Sequence, residues 1–142
     1  MNYESLETQA NGGGDISARQ DVRSFIAAGT IAAQDWVSFD ISQTAVGDKF
    51  SRIVQASTGA NKKCCFGVAL NGGSAGDRIE VVVAGPALAK VKSTVAAEND
   101  LKITGVVGEA DIATSSDLVP KIGRALEAYD AGGTLCWVHR TY

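Results

Sequence analysis

The chain has 142 residues, 45% of them apolar and 20% charged, with 16 glycines against 2 prolines. That length suffices for one ordinary domain with its own core, and the composition excludes a disordered chain or a fibre repeat. The net charge of −3 sits at the start: residues 1–22 hold Glu4, Glu7, Asp15 and Asp21 against Arg19, and the other 12 basic and 12 acidic residues cancel.

A neutral body favours association and lacks the basic footprint of a nucleic-acid binder, so no nucleic-acid partner is expected. No apolar run approaches the ~18 residues of a membrane span, and no membrane partner is expected either. The polar, acidic opening MNYESLETQANGGGD does not read as a signal peptide. Cys64, Cys65 and Cys136 are odd in number and include an adjacent pair. They read as reduced thiols of a protein made in a cytoplasm.

Residues 1–24 form the first expected unit, a flexible N-terminal arm. It is poor in large apolar residues and carries Gly12-Gly13-Gly14, so it cannot bury enough surface to offset its ordering entropy. It is either a frayed terminus or an arm that orders against a partner. Its first 22 residues, fully extended, would reach about 70 Å. Tyr3, Leu6 and Ile16 are its candidate anchors.

Residues 25–142 form the second unit, a β-rich body. Val37, Phe39 and Ile41 alternate with Trp36, Ser38 and Asp40. The same period of two recurs at Phe66, Val68 and Leu70 and at Ile79, Val81 and Val83, which is a strand signal. The stretch AGPALAKVKS (84–93) reads as a link, with Pro86 placed just after a strand, where a missing N–H costs little.

An internal repeat organises this body. FGVALNGGSAGDRIEVVV (66–83) aligns with IGRALEAYDAGGTLCWVH (122–139), matching Gly67, Ala69, Leu70, Ala75 and Gly76 to Gly123, Ala125, Leu126, Ala131 and Gly132. Upstream, TIAAQDWV (30–37) resembles TVAAENDL (94–101). The pseudo-repeats thus span about 30–83 and 94–139. Taken alone, the later copy reads as a helix, with Leu118, Ile122, Ala125, Leu126 and Tyr129 on one face. Its partner contains Asn71-Gly72-Gly73, which would break a helix. A shared structure therefore requires strand, glycine-bearing turn, strand in both copies, and Gly67, Gly76, Gly123 and Gly132 become its structural glycines. The expected fold is mainly β: a small barrel or sandwich of two related units that bury their apolar faces against each other.

Chemistry is hard to find. His139, the single histidine, lies three residues after Cys136, and odd spacing on a strand puts the two on opposite faces. Cys64 and Cys65 lack the two-to-four-residue gap of a zinc knuckle. The glycine clusters are not followed by the Lys-Ser/Thr of a phosphate loop. Asp100, Glu109, Asp111 and Asp117 form a diffuse acidic stretch without calcium-loop spacing. No catalytic, metal or cofactor site is expected, and the chain is read as a non-enzyme.

The words Ile122-Gly123, Ala125-Leu126-Glu127 and Ala131-Gly132, with Gly67, Ala69-Leu70 and Ala75-Gly76-Asp77 in the earlier copy, resemble small bacteriophage capsid cement, or head decoration, proteins. Gly133, where an acidic residue would close the turn, and the ending Cys136-Trp137-Val138-His139 depart from that pattern. The resemblance implies a compact, usually homotrimeric β domain seated on the outer capsid surface of the virion, with the major capsid protein as partner. Its role would be to stabilise the shell. A phage tail or baseplate binding module and a cytosolic β-barrel adaptor are the alternative readings.

Overall fold

The computed structural model describes residues 19–141. Tyr3, Leu6 and Ile16 lie outside them. Nine strands follow in chain order: β1 (Asp21–Ala27), β2 (Trp36–Phe39), β3 (Arg52–Gln55), β4 (Cys65–Ala69), β5 (Arg78–Ala89), β6 (Asp100–Ile103), β7 (Ala110–Ile112), β8 (Gly123–Ala125) and β9 (Thr134–Val138). A single helical turn, α1 (Val46–Lys49), lies between β2 and β3. The architecture is mainly β, as the alternation and the repeat imply, and the segment around 118–129 is strand and turn with no helix.

Strand order is β1-β3-β2-β4-β5-β9-β8-β6-β7, and β1 also pairs with β5. The first five strands therefore close into a barrel, which removes their free edges. The remaining four extend from β5 as a second antiparallel sheet.

Within this order the repeat is structural. Strands β3-β2-β4-β5 and β7-β6-β8-β9 are the same four-strand arrangement, joined antiparallel through β5 and β9. Trp36 pairs with Val68 and Val37 with Gly67 in the first copy, as Asp100 pairs with Arg124 and Leu101 with Gly123 in the second. The lead-in turns match as well. Gln34 and Glu98 both take positive φ, at 75° and 71°. Asp35 and Asn99 each accept a hydrogen bond from the backbone N–H three residues earlier, both at 2.8 Å. The difference between the copies is local: the β2–β3 connection carries α1, whereas β6 and β7 are joined by the short segment 104–109.

Two apolar clusters result. One fills the barrel, from Val37, Ile53, Phe66, Ile79, Val81 and Val83. At its end the Phe39 and Phe66 rings stack at 4.0 Å, and Phe25 meets Phe66 edge-on at 4.8 Å. The other lies between the copies and joins Trp36, Val68 and Val82 to Leu101, Ile103, Ala125, Cys136 and Val138. Trp36 is consequently buried, although alternation assigned it to the face opposite Val37. Strands β2 and β4 have a core on both sides.

The junction also holds a polar anchor. Asp35 is fully buried and accepts hydrogen bonds from Gln55 Nε2 at 2.7 Å and Lys90 Nζ at 2.6 Å, besides that from the Ala32 N–H. Trp36 Nε1 donates to the Lys90 carbonyl at 3.0 Å.

Two boundaries and one turn glycine differ from the sequence reading. The arm does not extend to residue 24, because Val22, Arg23 and Ser24 pair with Val82, Val81 and Glu80. Pairing with the β-branched Val81 and Val82 of β5 outweighs the polarity of this stretch. The segment 84–89 is no link but the second half of β5, bent at Gly85 (φ 101°) so that one strand serves both sheets. Pro86 is tolerated there because β1 begins only at Asp21 opposite Ala84, leaving its N–H side unpaired, and its carbonyl accepts from Gln20 Nε2. In the second repeat turn positive φ falls on Gly133, at 119°, not on Gly132. A Cβ at Gly133 would lie 2.7 Å from Gln34 Nε2, which donates to the Gly132 carbonyl.

Candidate interaction surfaces

The thiols fall into two kinds. Cys65 in β4 and Cys136 in β9 are buried, and burial pushes both up to about 12. At neutral pH neither supplies the thiolate on which nucleophilic attack or metal ligation depends. Cys64 is exposed. No group of three or more metal-ligating side chains occurs among the described residues. Cys136 belongs to the inter-copy core, and His139, just past β9, lines a surface groove. Sequence reasoning missed that this groove also brings in Cys64 and Cys65, because β4 and the end of β9 meet only through tertiary folding.

That groove, about 440 Å³ in volume, has Phe39, Cys65, Ile103, Pro120 and Ile122 as its apolar lining. Lys63, Lys121, His139 and Arg140 add nitrogen donors, and no carboxylate is among the described residues lining it. Asp100, beside it, binds two cations: Lys121 Nζ at 3.1 Å and Arg124 at 3.0 Å. Asp21 likewise binds Arg140 and Arg23. Hydrogen bonds from Lys121 and Arg124 hold the Asp100 carboxyl below the usual range, and those from Arg140 and Arg23 do the same for Asp21. Further along, Asp117 is lowered to about 2 by Lys102 and the Thr114 N–H. Asp100, Asp111 and Asp117 of the acidic stretch are thus used in ion pairs.

A second groove of about 610 Å³ adjoins the first through Phe39 and Thr141 and is lined by Phe25, Phe50, Ser24 and Ser51. Phe50, just after α1, is 60% exposed.

The outer face of the second sheet is the third surface. Pro86 lies opposite Trp137 and Leu88 opposite Leu135 across β5 and β9, so the four share a face. Trp137 is 44% exposed, Leu88 40% and the adjacent Leu126 45%. Arg124, paired with Trp137 on the β8 side, borders this patch.

The four repeat glycines have distinct places. Gly67 and Gly123 lie within β4 and β8, where a Cβ would come within 2.4 Å of the Val82 carbonyl and 2.5 Å of the Trp137 carbonyl. Gly76 takes φ 92° in the first turn, and Gly132 donates its N–H to Asp130 Oδ1 in the second.

The fold is a closed five-stranded β-barrel extended by a related antiparallel sheet, and its surfaces are apolar or basic grooves and one apolar sheet face. A solved structure of the same architecture is the N base of head fiber gp8.5 in bacteriophage phi29. The similarity covers 84% of this chain and 92% of that chain, with a TM-score of 0.52 and 18% identity. Comparison with protein-family models gives no match, and comparison with curated proteins gives none.

Proposed function

We propose that this chain is a phage head structural protein, and specifically a decoration protein that seats on the outer capsid surface and stabilises the shell of major capsid protein. The observation that carries the reading is the shared architecture with a head fiber base, covering most of both chains. The sequence resemblance to capsid cement proteins points the same way from independent features, the Gly-x-Ala-Leu words of the two copies. On this reading the chain is not an enzyme and needs no cofactor. Its work is to bury complementary surface, for which a rigid β body and exposed apolar side chains suffice.

The copies associate as a homotrimer on this proposal, consistent with a body whose charges cancel. Trp137, Leu88 and Leu126 are the exposed apolar residues best placed on one rigid face to contribute to such contacts. Co-sedimentation with undecorated heads and, separately, with isolated tails tests the assignment. Binding to heads alone is expected. Binding to tails alone selects a tail module, and binding to neither removes the virion reading.

A further inference from the structure

We propose that the basic groove between the start of β4, the Pro120–Ile122 segment and the end of β9 is the docking seat for residues 1–18 of the same chain. Three observations meet here.

The first is charge. Asp100 and Asp21 are each shared between two cations, so Lys121 with Arg124, and Arg140 with Arg23, keep a surplus positive charge after pairing. Lys63, also on the groove, adds to it. Residues 1–18 carry Glu4, Glu7 and Asp15 and no lysine or arginine. A body neutral in sum therefore holds a local positive surface, and the acidic residues that would complement it are in the segment preceding β1.

The second is chemistry. The groove joins an apolar floor of Phe39, Ile103 and Ile122 to cations at its rim. In Tyr3-Glu4-Ser5-Leu6-Glu7 an apolar side chain sits between two carboxylates. Leu6 on the floor with Glu4 and Glu7 toward Lys63 and Lys121 would use both features. Partly desolvated carboxylate–ammonium pairs are also screened less by salt than open surface pairs.

The third is position. Arg140, which lines the groove, donates to Asp21 Oδ2. The chain therefore enters the described body beside the seat. From Arg19 back to Leu6 the chain spans about 40 Å when extended, far more than a groove of this size requires. A tethered segment that can reach its site competes at millimolar effective concentration, which favours the chain's own segment over a second copy.

Zero-length carbodiimide cross-linking of the full-length protein, read by mass spectrometry, tests this without any capsid. A mixture of isotopically light and heavy protein separates cross-links within a chain from those between chains. The expected result is light–light and heavy–heavy cross-links from Glu4, Glu7 or Asp15 to Lys63 and Lys121. They should exceed those to Lys92, beyond the far end of β5, by roughly tenfold, as local millimolar tethering implies. K63E should abolish the Lys121 cross-links as well, while leaving the circular dichroism spectrum unchanged. Cross-links spread evenly over all lysines, or mixed light–heavy products at Lys63 and Lys121, would overturn the proposal. Capsid binding could fail with these cross-links intact, so the two readings are separately testable.

Discussion

Replacing Gly123 with alanine puts a methyl group where the structure has no room. Its Cβ would stand 2.5 Å from the Trp137 carbonyl oxygen and 3.0 Å from the Trp36 ring. Relieving the first contact means moving β8 and β9 apart by the better part of an ångström, at a pair of residues that anchors the second sheet. Overpacking of that kind costs about 1–3 kcal/mol. A weakened ladder hydrogen bond adds about 1 kcal/mol. With an unfolding entropy of about 2.1 cal/mol/K per residue, a loss of about 3 kcal/mol lowers Tm by roughly 12 °C for a body of this size. G67A in the first copy should behave alike, its Cβ lying 2.4 Å from the Val82 carbonyl and 2.6 Å from Val81 Cγ1. Gly47→Ala is the control, since nothing lies within 4 Å of a Cβ there. Thermal and urea melts followed by tryptophan fluorescence give the comparison. If G67A and G123A both melt within about 2 °C of the parent, against the ~12 °C expected, close strand approach is not why glycine occupies these positions.

Asp35→Ala removes a fully buried carboxylate that serves Ala32, Gln55 and Lys90, and should cost about 3 kcal/mol in urea unfolding. Asn99→Ala, at the equivalent turn, removes one backbone bond and should cost about 1 kcal/mol. In the native protein a neutral alkylating reagent should modify Cys64 alone, with Cys65 and Cys136 reacting only after denaturation. Mass spectrometry after brief iodoacetamide treatment reads this directly, and rapid native labelling of Cys65 would contradict its burial. Acid should weaken the fold in a defined window. Folding depresses the carboxyls of Asp117, Asp100 and Asp21, so their stabilisation is complete above the unfolded range near pH ~4. It is lost as pH falls, down to about 2 for Asp117. Urea midpoints measured between those values should fall more steeply for the parent than for Asp117→Asn.

Much of this architecture is legible in the chain because it is written twice. Residues 118–129 have helical periodicity, and only the matching copy, with its Asn71-Gly72-Gly73, shows that a hairpin-like unit must form. The paired registers of β2–β4 and β6–β8 are the physical content of that match. Period two correctly puts Trp36 and Val37 on opposite faces of β2, but it does not say whether the second face meets water or another sheet. The sequence ends β5 before Ala84 because Gly85-Pro86 reads as a break, and nothing local reveals that β1, which begins only at Asp21, leaves the Pro86 N–H side without a strand partner. The basic groove was invisible for a different reason. Lys63, Lys121 and Arg140 are far apart in sequence and each is unremarkable alone, so only the fold brings them together. The need for glycine at position 133 comes from its backbone, at φ 119°, which the repeat match to Gly76 and Gly132 does not single out.

The central claim, that this duplicated β body decorates a phage head, is tested most directly by adding purified protein to undecorated, DNA-filled capsids and measuring the temperature of DNA release alongside occupancy by cryo-electron microscopy. The account predicts saturable density on the outer capsid surface and release at a higher temperature than in bare heads. Bare capsid surfaces at saturating protein, with an unchanged release temperature, would contradict it.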